Sequence, residues 1–156
     1  MCSIDQAEGA LRASEKIKKP VWIGFSVDDF DGSKLRSGEN LKDIVSILEK
    51  FTIEAVLINC SRPEVVTTAV EIVSSFNKKF GAYANAFTKI SSGFLEDAPT
   101  VDALEERKDL NPENYLKFVM EWVELGASIV GGCCEVGPEH ITVSYTHLRA
   151  HETSPD

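Results

Sequence analysis

Apolar positions along this chain recur with two alternating periods. Four short runs are apolar almost throughout: Val21–Ser26 (VWIGFS), Ala55–Cys60 (AVLINC), Phe80–Ala86 (FGAYANA) and Ser128–Cys134 (SIVGGCC). Between them apolar residues fall every three or four positions, at Leu41, Ile44, Val45 and Leu48, at Val66, Ala69, Val70 and Val73, and at Leu116, Val119, Met120 and Val123. The first pattern is that of a strand shielded on both faces, the second that of a helix with one apolar stripe. Punctuation agrees with the periods. Ser3-Ile4-Asp5-Gln6 has the form of a capping box, Asn111-Pro112 opens a helix, and Gly126 closes it.

Strands alternating with helices predict parallel βαβ units. Four such units suit either a small doubly wound sheet or half of a (β/α)8 barrel, and the pattern alone does not separate the two. The connection Thr88–Leu110 is long enough to line a site or carry a small extra element.

Composition narrows the partners. The chain has 156 residues, 43% of them hydrophobic and 26% charged, as in a soluble globular domain. A net charge of −9 argues against nucleic acid or an anionic membrane as partner, since both demand a basic footprint. No apolar run approaches a bilayer span and the first residues lack a secretory pattern, so the expected location is cytoplasmic. Thiols stay reduced there. The four cysteines therefore read as buried residues, nucleophiles or metal ligands rather than as disulfides.

Cys60 ends the second apolar run, and Cys133 and Cys134 end the fourth. In a parallel sheet all carboxyl ends lie on one side, so three thiols remote in sequence would converge. Three protein ligands and one open position form the arrangement of a catalytic zinc, and soft thiolates suit that metal. Gly131 and Gly132 would let the backbone bend so that both neighbouring cysteines face one ion. The competing reading is packing, because free cysteine is among the most buried residue types. Cys2 is a candidate fourth ligand, but no strand end fixes its direction.

At these residues the sequence resembles the homocysteine S-methyltransferase family, a zinc- and homocysteine-binding barrel found also in betaine-dependent enzymes and in cobalamin-dependent methionine synthase. The resemblance is carried by Asn59-Cys60, by Gly131–Cys134 followed by Pro138-Glu139-His140-Ile141, and by Pro20–Ser26, Leu35–Glu39 and Gly81–Ala86. It implies an α/β fold, the C-terminal half of a (β/α)8 TIM barrel with four βα units, and zinc held by Cys60, Cys133 and Cys134. It implies methyl transfer from a sulfonium or betaine-type donor (S-methylmethionine, S-adenosylmethionine or betaine) to the thiol of L-homocysteine, giving methionine. Asn59 and Asn85 are candidate contacts to the substrate's amino-acid end or to the donor, although strand-end asparagines also satisfy loop backbone. Alternatives are the homocysteine module of a cobalamin-dependent synthase and a non-catalytic zinc- or thiol-binding module.

The resemblance covers residues 1–142, the expected domain. It places the first four βα units, and an acidic homocysteine contact, upstream of Met1. A chain lacking them is expected to expose an apolar seam, bind zinc weakly and turn over little. Residues 143–156 (VSYTHLRAHETSPD) follow none of the earlier patterns and read as a translated sequencing-library adaptor, a non-native tail replacing the helix expected after Ile141. The i, i+4 pair His147 and His151, otherwise a zinc-type spacing, falls within it. Of the rest, Asp28–Gly32 reads as a solvated turn, Glu105–Asp109 as an exposed face, and Trp22 and Trp122 as core.

Overall fold

The computed structural model describes residues 1–90, 100 and 104–152, the last two of these as backbone only. Much of the long connection between residues 88 and 110 therefore lies outside the described residues. The elements follow one another as α1 (Ile4–Ser14), β1 (Trp22–Phe25), a 3-10 turn (Leu41–Ile44) running into α2 (Val45–Leu48), β2 (Ala55–Asn59), α3 (Pro63–Ser74), β3 (Lys79–Tyr83), α4 (Pro112–Glu124), β4 (Ile129–Val130) and α5 (Pro138–Glu152). The strands form one sheet in the order β1-β2-β3-β4, every neighbour parallel. Each strand lies beside its predecessor, which is barrel-type winding; a doubly wound sheet reverses its order at a switch point.

Local chemistry explains the boundaries. The Ser3 hydroxyl accepts the Gln6 N–H at the start of α1, and the Gln6 side chain reaches back to the Cys2 N–H. Asn111 caps α4 by accepting the Asn114 N–H, with Pro112 in the first turn. Gly126, at φ 98°, ends α4 in the left-handed region that favours glycine.

Side-chain alternation gives the sheet two faces. Ile23, Phe25, Val56, Ile58, Phe80 and Ala82 pack into one core with α3 and α4. The other face carries Trp22, Gly24, Leu57, Asn59, Gly81, Tyr83 and Ile129, in register across the strands. A Cβ on Gly81 would run into the Ile129 backbone, 2.8 Å from its carbonyl carbon, so β3 and β4 approach this closely only because residue 81 has no side chain. Trp22 is 54% exposed on edge strand β1, contrary to the core position expected for it, whereas Trp122 is fully buried. In α4 the buried residues are Tyr115, Val119 and Trp122, one step round from the expected stripe, and Leu116, Met120 and Val123 are half-buried.

The chain after Ile141 also departs from expectation. α5 continues without a break to Glu152, Ser144 is buried, and Leu148 packs against the core. The sequence there contains Leu, Arg, Ala and Glu, good helix formers, and the Thr142 and Ser144 hydroxyls bond back to the Pro138 and His140 carbonyls. Among the described residues no helix is long and apolar enough to cross a membrane.

Candidate metal centre

Three chain segments meet at the carboxyl rim of the sheet. Cys60 lies one residue past β2, with its N–H bonded to the Tyr83 carbonyl at 3.2 Å. Cys133 and Cys134 follow β4 in a loop that continues the β3 ladder: Gly131 N–H bonds Ala82, Cys133 N–H bonds Ala84, and Ala86 N–H bonds Cys134, at 2.9–3.0 Å. The Tyr115 hydroxyl holds the Gly131 carbonyl at 2.6 Å from below. As a result the Cys60, Cys133 and Cys134 sulfurs all lie within 4.8 Å of one another. Cys2 stands outside this cluster, its carbonyl accepting the Ser37 N–H.

The two glycines act differently from the bending role expected of both. Neither has positive φ; in this loop and its partner the left-handed residues are Glu135 at 60° and Cys60 at 52°. A Cβ on Gly132 would strike the Val136 side chain, whereas one on Gly131 would make only an ordinary 3.6 Å contact with Tyr83. Gly132 thus lets Val136 fold back under the loop and turn both thiols toward Cys60.

The thiols perturb one another. Hydrogen bonding from Cys60, assisted by the Cys134 backbone N–H, pulls the Cys133 thiol down to about 6 against the opposing effect of burial. That same bond, with burial, pushes the Cys60 thiol well above its ordinary value. Cys134 is raised by burial and by the neighbouring Cys133 charge. The shifts make Cys133 the most readily ionised of the three thiols. The donor set fits a soft cation: tetrahedral bonds of about 2.3 Å would set sulfurs about 3.8 Å apart, and Cys133 and Cys134 stand at 3.8 Å.

The asparagines differ. Asn59 is half-buried, and its Oδ1 accepts from Ser26 at 3.3 Å. It shares the space above Gly24 with the Tyr83 hydroxyl, since a Cβ there would lie 3.3 Å from Asn59 Oδ1 and 2.9 Å from Tyr83 Oη. Asn85 is buried, its Oδ1 accepting the Phe87 N–H while its Nδ2 finds no partner among the described residues. His147 is exposed on α5, and the side chain of His151 lies outside the described residues.

Sequence reasoning missed three residues in the loops at the carboxyl rim of the sheet. Asp29, expected in a solvated turn, is buried and paired with Arg36, while the Asp28 and Asp31 side chains accept the Phe30 and Ser33 N–H groups in Asx-type turns. Ser61, fully buried, accepts the Val27 N–H and joins the loops after β1 and β2. Arg107, from the stretch expected to be exposed, is ion-paired to Glu64 and Asp109 as residues 105–107 pair with 86–88. Only the position of Asp29 just after an apolar run hinted at its burial.

A parallel α/β sheet with barrel-type winding and three convergent thiols at its carboxyl rim, a donor set that fits a soft cation, defines the class. The chain belongs to the homocysteine S-methyltransferase family, whose match spans residues 1–145. It is similar to homocysteine S-methyltransferase 2 of Arabidopsis thaliana, 31% identical over 92% of this chain and 41% of that protein. It is also similar to the selenocysteine methyltransferase of Astragalus bisulcatus, 28% identical over 95% of this chain and 42% of that one. Among solved structures it resembles the apo form of the Escherichia coli homocysteine methyltransferase MmuM, with a TM-score of 0.68 at 19% identity over 94% of this chain and 46% of that one. The chain thus spans about two fifths of the length of the curated relatives it matches.

Proposed function

We propose that this chain is the zinc- and homocysteine-binding, C-terminal part of a cytoplasmic homocysteine S-methyltransferase, with Cys60, Cys133 and Cys134 as the zinc ligands. The observation that carries the reading is the set of three sulfurs within 4.8 Å at the sheet's carboxyl rim, inside the segment that matches the family. When bound there, zinc supplies the positive charge that keeps an incoming thiol deprotonated near neutral pH, a thiol whose ordinary pKa is about 8.5.

The acceptor sulfur of L-homocysteine then attacks the donor methyl carbon opposite the leaving atom. A new S–CH3 bond forms, the bond from methyl to the positively charged donor atom breaks, and its electron pair stays with the donor, which departs neutral. The thiol proton goes to solvent. No group of the chain need act as acid or base at carbon. S-methylmethionine or S-adenosylmethionine is the preferred donor over betaine. Two matched relatives are named selenocysteine methyltransferases, which supports extending the acceptor class to small selenol amino acids.

In this reading Asn59, half-buried beside Tyr83, contacts the substrate's polar end, and Asn85 mainly fixes the loop after β3. Residues 143–156 are assigned an adaptor origin, which sequencing the flanking DNA tests. The decisive experiment is X-ray absorption on zinc-loaded protein with and without L-homocysteine. A three-sulfur site that becomes four-sulfur supports the reading; a site unchanged by homocysteine, or zinc content unaffected by Cys60→Ser, overturns it.

A further inference from the structure

Among the described residues Cys60 is one of three besides glycine with positive φ, a conformation that persists only where its surroundings impose it. Its N–H is fixed by the Tyr83 carbonyl in the ladder. Its carbonyl is fixed by a side chain: Arg36 Nη2 donates to Cys60 O at 3.2 Å. The same guanidinium donates from Nη1 to Asp29 Oδ1 at 3.3 Å, both side chains being largely shielded, 15% and 8% exposed. Asp29 is held in turn. Its Oδ2 accepts the Ile90 N–H at 2.6 Å and its carbonyl accepts from Arg62 at 3.4 Å. One ion pair thus ties together the chain after β1, after β2 and after β3, beside the thiols.

We propose that Arg36, oriented by Asp29, is a positioning residue that holds Cys60 in its left-handed conformation and so keeps its thiol in the metal-binding set. This rests on the three-cysteine reading of the site. A planar guanidinium can serve a carboxylate and a carbonyl at once from a fixed fork, which the ammonium of a lysine does not reproduce. Without that clamp the Cys60 peptide relaxes to negative φ and swings its sulfur away from Cys133 and Cys134. Partners of ligands at this remove alter metal affinity by about 10–100-fold.

Removing Arg36 alone would strand a buried carboxylate and confuse clamp with stability. The test therefore uses Asp29→Asn with Arg36→Met in one chain, which deletes both charges while leaving a side-chain carbonyl oxygen to accept the Ile90 N–H. Cobalt loading and zinc competition against a chelator are measured on this variant, on Asp29→Asn, on Arg36→Lys, on Cys60→Ser and on the unaltered chain. The expected result is a folded double variant whose cobalt spectrum has the weaker thiolate charge-transfer band of Cys60→Ser, with zinc bound about 10–100-fold more weakly. Asp29→Asn, which keeps the guanidinium, should retain the three-thiolate band. A double variant with the full band and zinc affinity within about twofold of the unaltered chain overturns the inference and leaves the three-cysteine reading intact. Should the double variant not fold, Arg36→Lys decides: weakened zinc binding in a folded protein supports the clamp, and unchanged binding overturns it. An unaltered chain with no thiolate band overturns both.

Discussion

Adjacent glycines at 131 and 132 should respond oppositely to the addition of one methyl group. At Gly132 the new carbon would lie 2.7 Å from Val136 Cβ and 3.3 Å from Ile141 Cδ1, and nearer still to Val136 Cγ1. Carbon atoms prefer about 3.5–4.0 Å, so the Val136 loop must shift, and overpacking of this kind costs about 1–3 kcal/mol. At Gly131 the nearest atom would be Tyr83 Cβ at 3.6 Å, an ordinary contact on backbone outside the left-handed region. There alanine restricts the unfolded chain and stabilises by about 0.4–1 kcal/mol. The two variants should therefore differ by at least about 1.5 kcal/mol, which at a urea slope of about 1–3 kcal/mol/M separates their midpoints by about 0.5 M or more. Urea denaturation followed by circular dichroism reads this directly. Because the obstacle at 132 is largely a side chain, adding Val136→Ala should recover part of the loss, with a favourable coupling of about 1 kcal/mol in a double-mutant cycle. Equal penalties at the two glycines, or strictly additive effects with Val136→Ala, would refute the packing argument.

Tyr115→Phe leaves the Gly131 carbonyl without its 2.6 Å donor and should cost about 1–3 kcal/mol by the same denaturation assay. Gly81→Ala meets the Ile129 backbone rather than a side chain, so it should destabilise more than Gly132→Ala, and trimming Ile129 to alanine should not rescue it. In metal-free protein, iodoacetamide labelling resolved by tandem mass spectrometry should favour Cys133 over the more exposed Cys134 at about pH 7.5. The thiolate of Cys133 appears as pH rises through about 6, while Cys134 stays protonated to higher pH than an ordinary thiol. Labelling that follows exposure instead would show that the proton is distributed differently.

The convergence of Cys60 with Cys133 and Cys134 was readable because it depends only on strand polarity. Four apolar runs with helices between them dictate parallel strands, and parallel strands put their ends on one rim. What fixes those ends was not readable. Asp28, Asp29 and Asp31 share one acidic turn, and beyond the nearness of Asp29 to an apolar run nothing in the sequence marks it as the one that turns inward to meet Arg36. Trp22 looks like any strand aromatic until its place on edge strand β1 leaves it uncovered. α4 carries apolar residues over a wide arc, so periodicity allowed two overlapping stripes, and the larger Tyr115 and Trp122 took the interior. The run Ser128–Cys134 shrinks to a two-residue β4 because the chain after Val130 bonds the loop beyond β3 instead of a regular strand.

That brevity has an energetic consequence. β4 meets its neighbour through only two paired positions, Gly81 with Ile129 and Ala82 with Val130, so it is the part of the sheet with least cooperative protection against local opening. Any ion shared by the cysteines on either side of that seam would act as a rivet, favouring the closed arrangement by mass action as its concentration rises above the dissociation constant. Hydrogen exchange at the Gly131 and Cys133 amides should then slow in step with metal occupancy, while exchange within β2 stays the same.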